Sequence, residues 1–370
     1  MLALSKIDRN AIVTSRYKLL IKTLILFDEE HTTQLMTGTV YRSTGSWYEV
    51  KGTDGAFYSC RIKGKFRLQG IKSTNPVAVG DQVDFEIEKK GDEEIGIINV
   101  IHERDNYIVR KSVNLSKQTH IIAANVDQVF LLVTLNNPPT FTSFIDRVLV
   151  TAEAYHIPVV LAFNKVDTYN DDQGGVMIDP ETGEELLTMT ELDEVRYLMS
   201  LYKSIGYECI AISAETGKNI DIIKEKMKGK TSMFAGHSGA GKSTLANAVQ
   251  PGLQLKTKQI SEQHKQGQHT TTFAEMFDLD FGARLIDTPG VKGFGVVDME
   301  KEEIGDYFPE IHELKQQCKF HNCMHVEEPK CAVKEAVEQG DMVLSRYESY
   351  VQIIKGDEDN YRQDKHQIQP

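Results

Sequence analysis

No stretch of this chain reaches the ~18 to 20 uninterrupted apolar residues needed to cross a membrane as a helix, and that excludes a helical membrane protein. The most apolar part of the N-terminal region, residues 16–27, is broken by Lys18 and Lys22. No small-residue cleavage site follows it, so no secretory leader is expected. Cysteine is also scarce, with five in 370 residues. That excludes a disulfide scaffold. Basic charge is short as well: 42 Lys and Arg against 54 Asp and Glu leave a net charge of −12. Such a surface does not coat nucleic acid indiscriminately, although a local basic face remains compatible with RNA. A cytoplasmic protein, monomeric and without a membrane partner, is the expectation.

What is present suits two or three domains at this length. Residues 1–35 read as an N-terminal extension, either preceding a natural start at Met36 or forming a helix of their own. From 36 to about 112 short alternating runs are punctuated by Gly45, Gly52, Gly55, Gly70, Gly80 and Gly91, as in a small β-barrel of the oligonucleotide-binding type. From 113 to 298 continuous apolar runs at 129–133 and 159–163 predict parallel strands buried on both faces. A helix between them and further strands at 209–212, 231–235 and 283–286 make this a doubly wound α/β domain. Residues 170–190 read as a surface excursion. Residues 299–355 read as a helical domain, with one helix over 332–355, and 356–370 as a polar tail.

The α/β part carries two nucleotide motifs. Gly236, His237, Ser238, Gly239, Ala240, Gly241, Lys242 and Ser243 form a phosphate-binding loop between a predicted strand and the helical Thr244 to Ala248. Its glycines let backbone N–H groups converge on a phosphate at a helix N-terminus. Lys242 would bridge the β- and γ-phosphates and Ser243 would ligate magnesium. Asn164, Lys165, Val166 and Asp167 follow a buried strand, and the Asp167 carboxylate suits guanine N1 and N2. Ser213 and Ala214 end the next strand, where the Ala214 N–H would meet guanine O6. In most GTPases the phosphate loop comes first. Here it follows the base motif, which predicts a circularly permuted GTPase order.

Asp287, Thr288, Pro289 and Gly290 end another strand, placing Asp287 near magnesium and the Gly290 N–H near the γ-phosphate. One threonine of 270–272 must reach magnesium in the triphosphate state, and Thr271 is favoured. Val291 follows Gly290, where many GTPases carry a water-orienting glutamine. Valine cannot orient water, so slow intrinsic hydrolysis is expected, with His269 as the polar candidate or else a structural residue.

Cys318, Cys323, His325 and Cys331 supply three thiols and an imidazole, a donor set for a closed tetrahedral zinc site, one per chain. His321 is a less well-placed alternative to His325. Cys60 and Cys209 stand alone and read as ordinary thiols. In the barrel, Arg61, Lys63, Lys65 and Arg67 share one face of a strand at period two, with Ile62, Phe66 and Leu68 on the other. That stripe suits RNA phosphates, or equally a lysine-protected edge strand.

In combination, the permuted motif order, residues 268–272, the Asp287 to Gly290 run and the Cys-Cys-His-Cys spacing resemble the ribosome small-subunit-dependent GTPase A family, RsgA, over residues 37 to 350. The resemblance implies a barrel, a permuted GTPase and a zinc-binding helical domain. It implies a late maturation factor of the small ribosomal subunit that contacts rRNA, hydrolyses GTP when stimulated by the subunit, and leaves in the GDP state. The competing reading is a GTP-dependent regulator of another RNA or protein, with the barrel as a general binding module. A vestigial GTPase is disfavoured by the intact Asp167, Lys242, Ser243 and Asp287.

Overall fold

The computed structural model describes residues 35–62, 76–90, 93–111, 119–171, 176–178, 185–187, 189–253, 274–288 and 299–356. The first five strands are β1 (Leu35–Ser43), β2 (Tyr48–Gly52), β3 (Phe57–Ile62), β4 (Gln82–Lys90) and β5 (Glu93–Ile101). They run in the order β1-β2-β3-β5-β4, and β4 pairs back onto β1, so the sheet closes into a five-stranded barrel. Only the β3–β5 pairing is parallel. Alternation sends Val40, Val50, Cys60, Phe85 and Ile98 inward to form its core. Burial pushes the Cys60 thiol up to about 12. The expected 1–35 extension lies outside the described residues, apart from Leu35, which opens β1.

The barrel is continuous with the rest of the molecule. The register of β1 against β2 slips between Val40 and Arg42, and beyond the slip Arg42 pairs with Glu275 of β14 (Glu275–Leu279). One sheet thereby runs through both domains. Asp278 fastens the junction, accepting from Tyr41 Oη at 2.7 Å and from Lys51 Nζ at 2.5 Å. Close to this junction, where the Gly80 N–H donates to the Val40 carbonyl, a hairpin of β6 (Tyr107–Lys111) and β7 (Thr119–Ala124) packs on Gly80. A Cβ at Gly80 would lie 2.0 Å from the Ala124 carbonyl oxygen, and its φ of +95° favours glycine independently. The predicted boundary at 112/113 falls between these two paired strands.

The α/β sheet has the order β12 (Glu208–Ala211), β9 (Val159–Phe163), β8 (Gln128–Val133), β13 (Thr231–Ala235), β15 (Ala283–Asp287), β14. All neighbours are parallel except β14 on β15. Every residue of β8, β9 and β13 is buried, which is why 129–133 and 159–163 read as unbroken apolar runs, while β13 buries the polar Thr231 and Ser232 at its start. Successive residues of β8 serve different cores. Val129, Leu131 and Val133 face the helices α1 (Thr142–Ala154) and α2 (Glu191–Ser204). Phe130 and Leu132 face α3 (Ile220–Met227) and α4 (Lys242–Val249). Between β9 and α2 the short strands β10 (Val176–Ile178) and β11 (Glu185–Leu187) pair as a hairpin. β14 was not legible as a strand: at the junction it buries only Met276 and Leu279 and shows no apolar run.

The C-terminal unit holds α5 (Pro309–Leu314), α6 (Ala332–Gln339) and α7 (Leu344–Lys355). The single helix predicted over 332–355 is two helices. Gly340, at φ +80°, caps α6 in the left-handed conformation, and Val343 restarts the chain from an extended backbone. Residues beyond Gly356, including most of the expected polar tail, lie outside the described set. No described helix is long and apolar enough to cross a membrane.

Candidate active site

The loop between β13 and α4 lies at the C-terminal edge of the parallel strands, where ligands of such sheets gather. Gly241 is the N-cap of α4 at φ +101°, and a Cβ there would come within 2.4 Å of Asn164 Nδ2. Glycine is therefore required twice over, by conformation and by close approach. Lys242 Nζ donates to the carbonyls of Gly236 at 2.7 Å and His237 at 2.8 Å, so the ammonium is folded over its own loop. Burial first, and then the Lys242 charge, depress the His237 pKa.

Asn164 ties three segments together. Its Nδ2 donates to the Ala240 carbonyl at 2.8 Å, its Oδ1 accepts from the Ala214 N–H at 3.0 Å, and its own carbonyl accepts from Tyr169 Oη at 2.9 Å. The Ala214 N–H, expected at guanine O6, is thus engaged by Asn164 in this structure. Ser213 is buried and its hydroxyl accepts from the Thr216 N–H at 3.0 Å. Lys165 sits at φ +66° and donates to the Asn137 carbonyl. Asp167 is exposed on the adjoining turn. The base motif and the phosphate loop, some seventy residues apart in sequence, are therefore neighbours joined by direct hydrogen bonds.

Asp287 ends β15 beside the loop. Burial raises its carboxyl pKa and the Lys242 charge opposes that rise, a setting in which a cation would be welcome. His269, Thr270, Thr271, Thr272, Gly290 and Val291 lie outside the described residues, as do Lys63, Lys65 and Arg67 of the basic stripe. Arg61, its described end, is exposed on β3 with its guanidinium 3.6 Å from the centre of the Trp47 ring.

Sequence reasoning missed the segment 134–140. Its Pro138 lies 3.3 Å from where a Cβ on Gly239 would stand, and Thr134 Oγ1 donates to the Pro138 carbonyl at 2.6 Å. The signal was available, since Asn136, Asn137, Pro138 and Pro139 form a turn cluster directly after a buried strand. Also missed was Phe144 of α1, whose ring centre lies 3.9 Å from that of His237.

In the C-terminal unit the ligand atoms of Cys318, Cys323, His325 and Cys331 lie within 4.8 Å of one another, and the cluster could hold a metal ion. Cys318 and Cys331 sulfurs are 3.9 Å apart, and His325 Nδ1 is 3.5 and 3.3 Å from them. Four donors about 2.3 Å from a tetrahedral centre would be spaced about 3.5–3.8 Å apart, so the residues fit. Burial first, and then the neighbouring thiols, push Cys323 up to about 12. Crowded thiols of this kind ionise together only around a cation. Burial lowers the His325 pKa, which favours the neutral form that ligation uses. His325 turns at φ +57°, its carbonyl accepts from Tyr347 Oη at 2.7 Å, and three N–H groups of the ligand loop, at 324, 326 and 327, donate to the Glu328 carboxylate. His321 is not part of this cluster.

A phosphate loop that follows its base motif in the chain, on a mostly parallel sheet fused to a closed barrel, defines a circularly permuted GTPase. The family model described as RsgA GTPase matches residues 101–297, and RsgA N-terminal domain matches residues 37–98. The "Small ribosomal subunit biogenesis GTPase RsgA" of Christiangramia forsetii is 67% identical over 332 residues, covering 90% of this chain and 100% of that protein. The protein of the same name from Flavobacterium johnsoniae is 61% identical, over 89% and 96%. Among solved structures, YjeQ from Thermotoga maritima superposes with a TM-score of 0.66 at 35% identity, covering 87% of this chain and 98% of that one. YloQ, described as a circularly permuted GTPase, gives 0.62 at 30% identity, over 89% and 98%. The chain belongs to the RsgA family and is a GTP hydrolase.

Proposed function

We propose that this GTPase acts in the cytoplasm, as a monomer, on the small ribosomal subunit late in its maturation, and that it leaves in the GDP state. The observation that carries the reading is the 67% identity to a small-ribosomal-subunit biogenesis GTPase across that protein's whole length. Co-sedimentation tests it: purified small subunits should carry the protein down with a non-hydrolysable GTP analogue and not with GDP. Equal pelleting in both states would refute it.

Within the site, Gly236 to Thr244 cradle the phosphates through backbone N–H groups at the start of α4. Lys242 exchanges the carbonyls of Gly236 and His237 for the β- and γ-phosphates. The short reach of its present bonds, 2.7 and 2.8 Å, supports an ammonium already confined to the loop. Ser243, Thr271 and Asp287 would hold magnesium, which when bound neutralises charge on the phosphates. Gly290 senses the γ-phosphate, and His269 orients the attacking water. Asn164, Lys165, Ser213 and Ala214 build the guanine pocket around Asp167. Zinc is the metal of the Cys318, Cys323, His325, Cys331 cluster and serves structure, since all four positions are filled by protein.

Asp167 sets base specificity. Its carboxylate pairs with the guanine N1–H and N2–H₂ edge, and replacing it leaves a mismatched donor at a cost of about 1–3 kcal/mol, roughly 5- to 150-fold. Asp167→Asn should therefore bind GTP weakly and prefer xanthosine triphosphate. A variant that still prefers GTP as strongly as the wild type removes Asp167 from this role.

RNA contact is assigned to the outward side of β3 at Arg61, with Lys63, Lys65 and Arg67, which follow it in the sequence, as further candidates. Phe57 is 51% exposed and lies on the same outward side of β3 as Arg61, which itself stacks on Trp47. Cations beside exposed rings suit both phosphates and unpaired bases.

A further inference from the structure

Helix α1 stands between the phosphate loop and the metal-binding unit. Near its start, the Phe144 ring lies 3.9 Å from His237, the second residue of the loop, with the two planes only 30° apart. At roughly 100° per residue, Asp146 points to nearly the opposite side of the helix from Phe144, and Val150 shares the Asp146 side. Both meet the C-terminal unit. Asp146 is fully buried and accepts from Arg346 Nη1 of α7 at 2.6 Å and from Tyr202 Oη of α2 at 2.8 Å. Arg346, also buried, is held from its own side by Glu310 at 2.6 and 3.0 Å and lies 4.7 Å from the Phe308 ring centre. Val150 sits within the apolar cluster of the C-terminal unit, with Ile304, Phe308 and Tyr350.

A buried pair of this kind is an all-or-none contact. Breaking it strands a charge in an apolar setting, so the unit is either seated on α1 or it is not. The opposite face of α1 has little freedom to ignore the change, because Phe144 and Val148 are locked into the core beneath the sheet. α1 meets the phosphate loop where the Phe144 ring lies against His237.

We propose that Phe144 is a positioning residue for the phosphate loop, acting through His237, and that α1 transmits the seating of the metal-binding unit to that loop. Nucleotide affinity and the docking of that unit are then linked, and the linkage is reciprocal. This route is separate from the segment between Thr288 and Met299 that joins the two units covalently. It rests on the reading of Gly236 to Ser243 as the phosphate loop.

The test is a titration of full-length, metal-loaded protein with a fluorescent GDP and a non-hydrolysable fluorescent GTP analogue. Phe144→Leu removes the ring and keeps an apolar side chain; it should weaken binding about tenfold, whereas Phe144→Tyr, which keeps the ring, should stay within about twofold. Arg346→Met should weaken binding about threefold in the wild-type background and not further in the Phe144→Leu background, because the relay is already cut. Metal content per chain and circular dichroism establish that each variant is folded. If Arg346→Met does not fold, Asp146→Asn, which keeps the shape and one acceptor oxygen, takes its place in the cycle. Binding by Phe144→Leu within twofold of the wild type, or the same loss from Arg346→Met in both backgrounds, overturns the relay and leaves the phosphate-loop reading standing. A wild-type protein that binds neither nucleotide overturns both.

Discussion

Lys242→Ala is expected to lower GTP turnover by about 10³-fold, the scale on which a single fixed contact to developing charge acts. The proposed transition state spreads charge over the γ-phosphate oxygens, and a preorganised ammonium stabilises it without moving far. The preorganisation is visible: the ammonium lies over the loop, bonded to Gly236 and His237 carbonyls, where alanine leaves only open acceptors. Both kcat and kcat/KM should fall, because the contact is strongest in the transition state. Phosphate release under single-turnover conditions reads the effect directly, with nucleotide binding followed in parallel. Near-normal turnover in the variant would strip Lys242 of its catalytic role.

The second large effect concerns the metal. Cys331→Ser, or prolonged chelation, is expected to unfold residues 299–356 while the barrel and GTPase domains keep their structure. Structural zinc contributes about 10–16 kcal/mol to folding in small metal-dependent units, as much as the whole stability of an ordinary domain at about 5–15 kcal/mol. The substitution is chosen because Cys331 is also the N-cap of α6. Serine is a good N-cap, so loss of structure reports the metal and not the helix terminus. Metal analysis of protein purified under reducing conditions should give one zinc per chain in the wild type, and limited proteolysis of the variant should cut within 299–356. Wild-type protein with no bound metal, or a variant as protease-resistant as the wild type, would contradict the assignment.

Parts of this molecule are legible because their physics is local. Residues 129–133 and 159–163 are apolar throughout because helices cover both faces of their sheet. The phosphate loop and the metal ligands announce themselves through glycine and cysteine spacing, which few other structures demand. What was not legible depends on contacts between distant segments. The split of the 332–355 helix turns on whether Gly340 caps or merely interrupts, and only the packing of Met342 into the C-terminal core decides that. β14 escaped notice because its partners are β15 and a strand of the barrel more than two hundred residues away. Asp146 and Arg346 are separated by 200 residues, and each alone reads as an ordinary helix-surface charge. Phe144 likewise looks like any apolar residue on the inner face of an amphipathic helix. The site was therefore readable at the level of motifs, while the connections that hold the motifs together were not.

The central claim is that this family member hydrolyses GTP slowly by itself and is switched on by the small ribosomal subunit. The most direct test is single-turnover GTP hydrolysis with and without purified small subunits, for the wild type and for His269→Ala. Partner-stimulated GTPases can gain about 10³- to 10⁵-fold; a smaller factor is expected here, because no arginine finger is identifiable in the sequence. The account predicts clear stimulation of the wild type by small subunits. It predicts that His269→Ala loses most of that stimulation while binding GTP normally. Equal stimulated rates in the two proteins would remove His269 from the mechanism, and no stimulation of the wild type at any subunit concentration would contradict the ribosomal account itself.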